Sequence, residues 1–99
     1  MRELKFEVSG QSLKKSGDFG GIIAGSTNYL QCRFATSDAD WLKCKKAAVF
    51  NDEYACALDS ALCCMVPDEV TDGKSFKVKL VGRHGATRIT TNNLLIEQV

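Results

Sequence analysis

Over most of this chain apolar and polar side chains alternate with a period of two, the pattern of a strand with one buried face. Leu4, Phe6 and Val8 alternate with Lys5 and Glu7, which predicts a first strand from Arg2 to Val8. Ser9-Gly10-Gln11 interrupts it, and Leu13-Lys14-Lys15 reads as a short edge piece whose lysines deter edge-to-edge pairing. Ser16 to Gly21 is a glycine-rich polar loop, followed by the brief apolar patch Ile22-Ile23-Ala24 and a turn at Gly25-Ser26. Tyr29 to Ala35 is a clear strand, with Leu30, Cys32 and Phe34 on one face. After the polar loop Thr36 to Asp40, the residues Trp41 to Phe50 predict the next strand. Asn51-Asp52-Glu53 turns the chain into a strand with Tyr54, Cys56 and Leu58 on one face. Asp59-Ser60 turns it again into Ala61 to Val66, where Leu62, Cys64 and Val66 share a face. Pro67 ends that strand, because it has no N–H for a ladder. Asp68 to Gly73 is a connection with Asp-Gly as its turn.

The last quarter, Lys74 to Val99, organises the rest. Phe76, Val78 and Leu80 alternate with Lys77 and Lys79; Arg83 to Ala86 breaks the pattern, and Thr87 to Thr91 resumes it with β-branched residues. This predicts a hairpin with a four-residue connection, a bend at Asn92-Asn93, and a final run Leu94-Leu95-Ile96. A unit with one apolar face needs a second layer to cover it. Leu30, Cys32, Phe34, Tyr54, Cys56 and Leu58 are expected to cover Phe76, Val78, Leu80, Ile89 and Ile96. The chain therefore reads as all-β: an immunoglobulin-like two-sheet sandwich of about seven or eight short antiparallel strands, with a small barrel as the alternative.

Ninety-nine residues make a single domain, 1–99, long enough to bury roughly two-thirds of its unfolded surface. The net charge of +1 gives no overall field to draw in nucleic acid, and no apolar run approaches the roughly 20 residues of a membrane span. No nucleic-acid partner and no membrane insertion are expected. The alternating N-terminus lacks the apolar core of a secretory signal. The odd cysteine count, five, and the lack of a CxxC spacing point to reduced thiols in a chain made in the bacterial cytoplasm.

Several stretches together carry a resemblance. They are Trp41, Lys45-Lys46-Ala47-Ala48-Val49-Phe50, Val66-Pro67-Asp68-Glu69-Val70, Gly73-Lys74-Ser75-Phe76-Lys77-Val78, Gly82 and Arg88-Ile89-Thr90-Thr91-Asn92. The run, roughly residues 41–97, resembles the small immunoglobulin-like module of baseplate and tail-fibre proteins from phages and prophages of Gram-positive bacteria. The resemblance implies an attachment or scaffold domain in a virion tail, typically the N-terminal part of a longer protein upstream of a receptor-binding region. Its implied partners are other tail or baseplate proteins, or further copies of the chain. The family brings no catalytic residues, so the chain is expected to be a free-standing module or a fragment without enzymatic activity.

The chemistry-bearing residues fit that expectation. His84, the only histidine, falls in the predicted hairpin turn and reads as a solvated residue rather than a base. Adjacent strand residues point to opposite faces, so Cys64 is expected inward and Cys63 outward, making Cys63 the candidate reactive thiol. Cys32, Cys44 and Cys56 read as small buried hydrophobes rather than zinc ligands. Asp38, Asp40, Asp52, Glu53 and Asp59 read as solvated loop carboxylates. No catalytic, cofactor or metal residue is assigned, and no cofactor is expected. The candidate partner or ligand contacts are Phe19, Tyr29, Trp41, Lys77, Lys79 and Arg88, with an exposed sheet edge or the loops as the contact surface. A carbohydrate- or cell-surface-binding module, stacking sugars on Trp41, Tyr29 or Tyr54, is the alternative. A small enzyme using Cys63 or His84 is the third.

Overall fold

A computed structural model describes residues Met1–Val99. The strands are β1 (Arg2–Ser9), β2 (Ser12–Ser16), β3 (Leu30–Ala35), β4 (Lys45–Phe50), β5 (Tyr54–Ala57), β6 (Cys63–Met65), β7 (Ser75–His84), β8 (Thr87–Thr90) and β9 (Leu94–Glu97). Two helical turns, α1 (Ala39–Leu42) and α2 (Asp68–Thr71), interrupt them. Sheet A has four strands in the order β2-β1-β3-β6. Sheet B has five: β5-β4-β7, with β8 on one half of β7 and β9 on the other. The protein is an all-β two-sheet sandwich.

The alternation read from the sequence sets the filling. Leu4, Phe6, Val8, Leu13, Leu30, Cys32 and Phe34 come from sheet A, and Ala48, Phe50, Phe76, Val78, Leu80 and Ile96 from sheet B; all are buried. The rings of Phe6 and Phe34 stack 5.0 Å apart. Each large side chain so buried contributes about 1.5–3 kcal/mol. Tyr54, Cys56 and Leu58 belong to sheet B and its margin, half-buried, and do not cover it. Leu30, Cys32 and Phe34 share one core cluster with Phe76, Val78, Leu80 and Ile96 as expected, and Leu4, Phe6 and Val8 of β1 join them.

Five local features depart from the expectation. β1 and β3 pair in parallel, Arg2 facing Leu30 through to Glu7 facing Ala35, so the sandwich is not wholly antiparallel. Residues 17–29 make the return as a strap, burying Ile22 and bonding to distant chain: Ala24 N–H to Val99 O, Val99 N–H to Ile22 O, and Gly25 N–H to Thr71 O. Trp41 stands on α1 rather than at the head of a strand, because Asp38 caps the turn by accepting from Asp40 N–H at 3.0 Å. The connection after Pro67 closes into α2, with Asp68 and Glu69 in the first turn, where carboxylates suit the helix dipole. Finally, β7 runs on to His84, so the β7–β8 turn is the two residues Gly85-Ala86, with Gly85 at φ +59°.

Thr91 lets one strand carry two partners. Its hydroxyl accepts from Leu80 N–H at 2.9 Å and donates to Asn92 O at 3.0 Å, covering the point where β8 leaves β7 and β9 rejoins it.

Candidate functional site

Trp41 is fully buried. Its indole N–H donates to Gly10 O at 2.6 Å, and its ring lies on Gly82, where a Cβ would stand 2.6 Å from Cζ3. Gly82 is thus glycine because the indole occupies the space of a side chain. Of the two readings of Trp41, core anchor or ligand platform, the anchor is the one found and the contact role is corrected: Trp41 ties α1 and the β1–β2 turn to sheet B.

Cys63 is also buried, against the expectation of an exposed thiol. The chain from Asp59 to Leu62 folds back on it: Asp59 Oδ1 accepts from Cys63 N–H at 2.9 Å, and Cys63 Sγ donates to Ala61 O at 3.5 Å. Arg33 stands opposite on β3, its charged form favoured first by the Cys63 sulfur and then by Glu3, 3.0 Å away. Cys32 faces Cys64 across β3 and β6. The Cys64 thiol first, then burial, pushes the Cys32 thiol well above its ordinary range. Burial raises Cys56 as well, with Cys64 contributing. Cys44 lies apart from these three, donating to Asp40 O at 3.1 Å.

His84 is exposed at the β7–β8 tip. Phe19 is half-buried, edge-on to Phe6 at 5.3 Å, with the Lys15 ammonium 5.5 Å above its ring. That packing makes it a lid on the core more than a free contact. Tyr29 is 48% exposed beside β3. Tyr54 sits among carboxylates; Glu53 first, then burial, Glu69 and Asp72, push its hydroxyl up.

The remaining expected contacts, Lys77, Lys79 and Arg88, gather on one surface, the outer face of sheet B. Strand register shows what surrounds them. Lys45 on β4 faces Arg83 on β7, and Arg83 faces Arg88 on β8. Three cations thus stand side by side across three strands, all exposed, and none has an ion-pair partner. In the next row Ala57, Ala47, Val81 and Thr90 follow one another across the sheet. The row after that is Ala55, Val49 and Lys79. Lys79 pairs with Asp52 at 2.9 Å, which holds the Asp52 carboxyl below its usual range. Lys77 then faces Leu95, which is 47% exposed. Glu97 lies at the far corner, opposite Ser75.

The sequence reading found the cations of this surface on β7 and β8 but missed Lys45, Arg83 and the apolar centre. The signal was present: outward positions of a solvated strand are normally polar, and Ala47, Val49, Ala55, Ala57 and Val81 are not. Assigning them needed the register of β4 and β5, which alternation alone left imperfect.

The edges of the sheets differ as well. Asn92 closes β2, its side chain accepting from Leu13 N–H at 2.7 Å and donating to Leu13 O at 3.2 Å. Asp59 closes β6 through both backbone groups of Cys63. Gln11 Nε2 donates to Thr90 O on β8. In β5, Tyr54 and Cys56 bond to β4, so the N–H and C=O of Ala55 and Ala57 point away from the sheet, with no partner.

The fold defines a class, an all-β two-sheet sandwich, with its unusual surface on one outer face. Compared with protein-family models, with curated proteins and with solved structures, the chain matches none. No helix is long and apolar enough to cross a membrane.

Proposed function

We propose that this protein is a non-enzymatic structural or interaction module, an immunoglobulin-like sandwich that serves as an attachment domain in a phage or prophage tail, in the baseplate or a fibre. The reading is carried by one observation. The outer face of sheet B presents Ala47, Val49, Val81 and Leu95, residues the core does not use. A module that only had to stay in solution gains nothing from an apolar outer face. The resemblance adds support, since β4, α2, β7 and β8 are the elements its residues compose. Sugar stacking loses its main platform with Trp41 inside the core.

The test is genetic and biochemical. The flanking genes are expected to encode tail and lysis proteins, and at least one purified flanking product is expected to bind this chain. A chain that sits among metabolic genes and stays monomeric with every flanking product would overturn the reading.

A further inference from the structure

We propose that the outer face of sheet B docks another protein, one that brings a flat apolar stripe bordered by carboxylates. The inference rests on the interaction-module reading above and names the surface and the chemistry of its occupant.

Three observations carry it. Like charges directly opposite one another on a sheet destabilise it, yet Lys45, Arg83 and Arg88 stand in register and none is in an ion pair; the nearest acid along the row, Asp59 beyond β5, spends its carboxylate on the backbone N–H groups of Ala61 and Cys63. A fold that keeps such a row without neutralising it is holding charge for something outside itself. The row borders an apolar centre, Ala47, Val49, Ala55, Ala57 and Val81, which spans three strands and so is about 10 Å wide at the usual strand spacing. Every side chain of that centre is small, so a partner's sheet or helix can approach the backbone closely. The centre also runs off the sheet at β5, the edge whose outward backbone groups at Ala55 and Ala57 are free.

Charge selects the occupant. A second copy would bring to this face only Asp52, already paired with Lys79, and Glu97 at the far corner, too few carboxylates for three unpaired cations. Single-stranded nucleic acid would need aromatic platforms among the cations, and the face presents none, since Phe76 and Phe50 point into the core. A lipid surface would be gripped by bulky side chains that insert, and here Leu95 stands alone. A protein face with an acidic rim meets both the stripe and its border.

The decisive substitution is Arg83→Glu. It places a carboxylate between Lys45 and Arg88 and so removes two like-charge contacts. It is expected to raise the denaturant midpoint of the free protein, while weakening binding to the flanking-gene products at least tenfold and flattening its salt dependence. A residue with a merely structural role would not move stability and affinity in opposite directions. The second measurement leaves the protein unmodified. The ¹⁵N-labelled chain is titrated with each purified flanking product, and separately with a single-stranded DNA 20-mer and with phosphatidylglycerol vesicles. Amide shifts centred on Ala47, Val49, Ala55, Ala57 and Val81 with a flanking product are expected. Binding that maps to another surface, or survives Arg83→Glu unchanged, overturns the proposal and leaves the interaction-module reading standing. DNA or vesicles shifting these residues in place of a protein, or self-association abolished by Arg83→Glu, overturns the choice of occupant. No binding by any flanking product overturns both.

Discussion

The two sheets turn very different outer faces to water. On sheet A the outer face carries charges of mixed sign among Gln31, Ala35 and Met65: Glu7 stands opposite Lys14, and Glu3 bonds Arg33 at 3.0 Å. Sheet A thereby neutralises itself. On sheet B the outward centre is small and apolar, and its cationic border finds only one acid, Asp52 on Lys79 at 2.9 Å. The inner faces, by contrast, are equally apolar and share one filling. The burial that drives folding therefore leaves the outer faces free to diverge, and only one of them is spent on solubility.

That comparison can be broken or sharpened by substitution. The largest effect should come from neither face but from the anchor between the sheets. Trp41→Ala should cost about 3–5 kcal/mol by denaturant unfolding, because it empties the space over Gly82 and orphans Gly10 O. Gly82→Ala should also destabilise, since its Cβ has no room unless the indole shifts. Next comes the closed edge. Asn92→Ala should cost about 1–3 kcal/mol by leaving both backbone groups of Leu13 unpaired. The open face should be nearly indifferent. Val49→Thr and Val81→Thr, half-buried but outside the core cluster, should each cost no more than about 1 kcal/mol, as surface substitutions away from special contacts do. A cost of several kcal/mol at either position would show that the face is structural and collapse the contrast.

The smallest effect is a pH dependence. The folded pKa of Asp52 lies below its ordinary value of 3.8, held there by Lys79. The pair's contribution is present above that ordinary value and is lost as pH falls through the folded pKa. Asp52→Asn should therefore lower stability slightly at neutral pH and leave it unchanged well below pH 3.8, read as a flatter acid limb of the unfolding midpoint.

Alternation made β1, β3 and β7 legible in the sequence, because each buries one full face, and β9 was read from its apolar run Leu94-Leu95-Ile96. It failed where a short element is held by something distant. Trp41 looks like a strand residue until Asp38 is read as a cap, and four residues carry too little period to reveal a helix. Cys63 alternates outward as expected, but the Asp59 carboxylate draws the following chain back over it. The parallel pairing of β1 with β3 was hidden for a similar reason: a hairpin turn announces an antiparallel neighbour, whereas nothing local announces a strand that returns through a strap. Of the candidate surface, the cations Lys77, Lys79 and Arg88 were legible. Its centre was not, since small residues look the same inward and outward until pairing assigns their sides.

The strap has a consequence for synthesis. Sheet A needs residues 17–29 laid in place before β3 can lie beside β1, and the strap is tied at Ile22 and Ala24 to Val99. On a ribosome making this protein N-terminus first, β1 can pair with β2 and β3 early, but the strap's bonds to Val99 can close only once Val99 has cleared the exit tunnel. A nascent chain arrested short of that point should be cut readily by protease within residues 17–29, and one arrested some forty residues beyond it, on an appended tether, should resist.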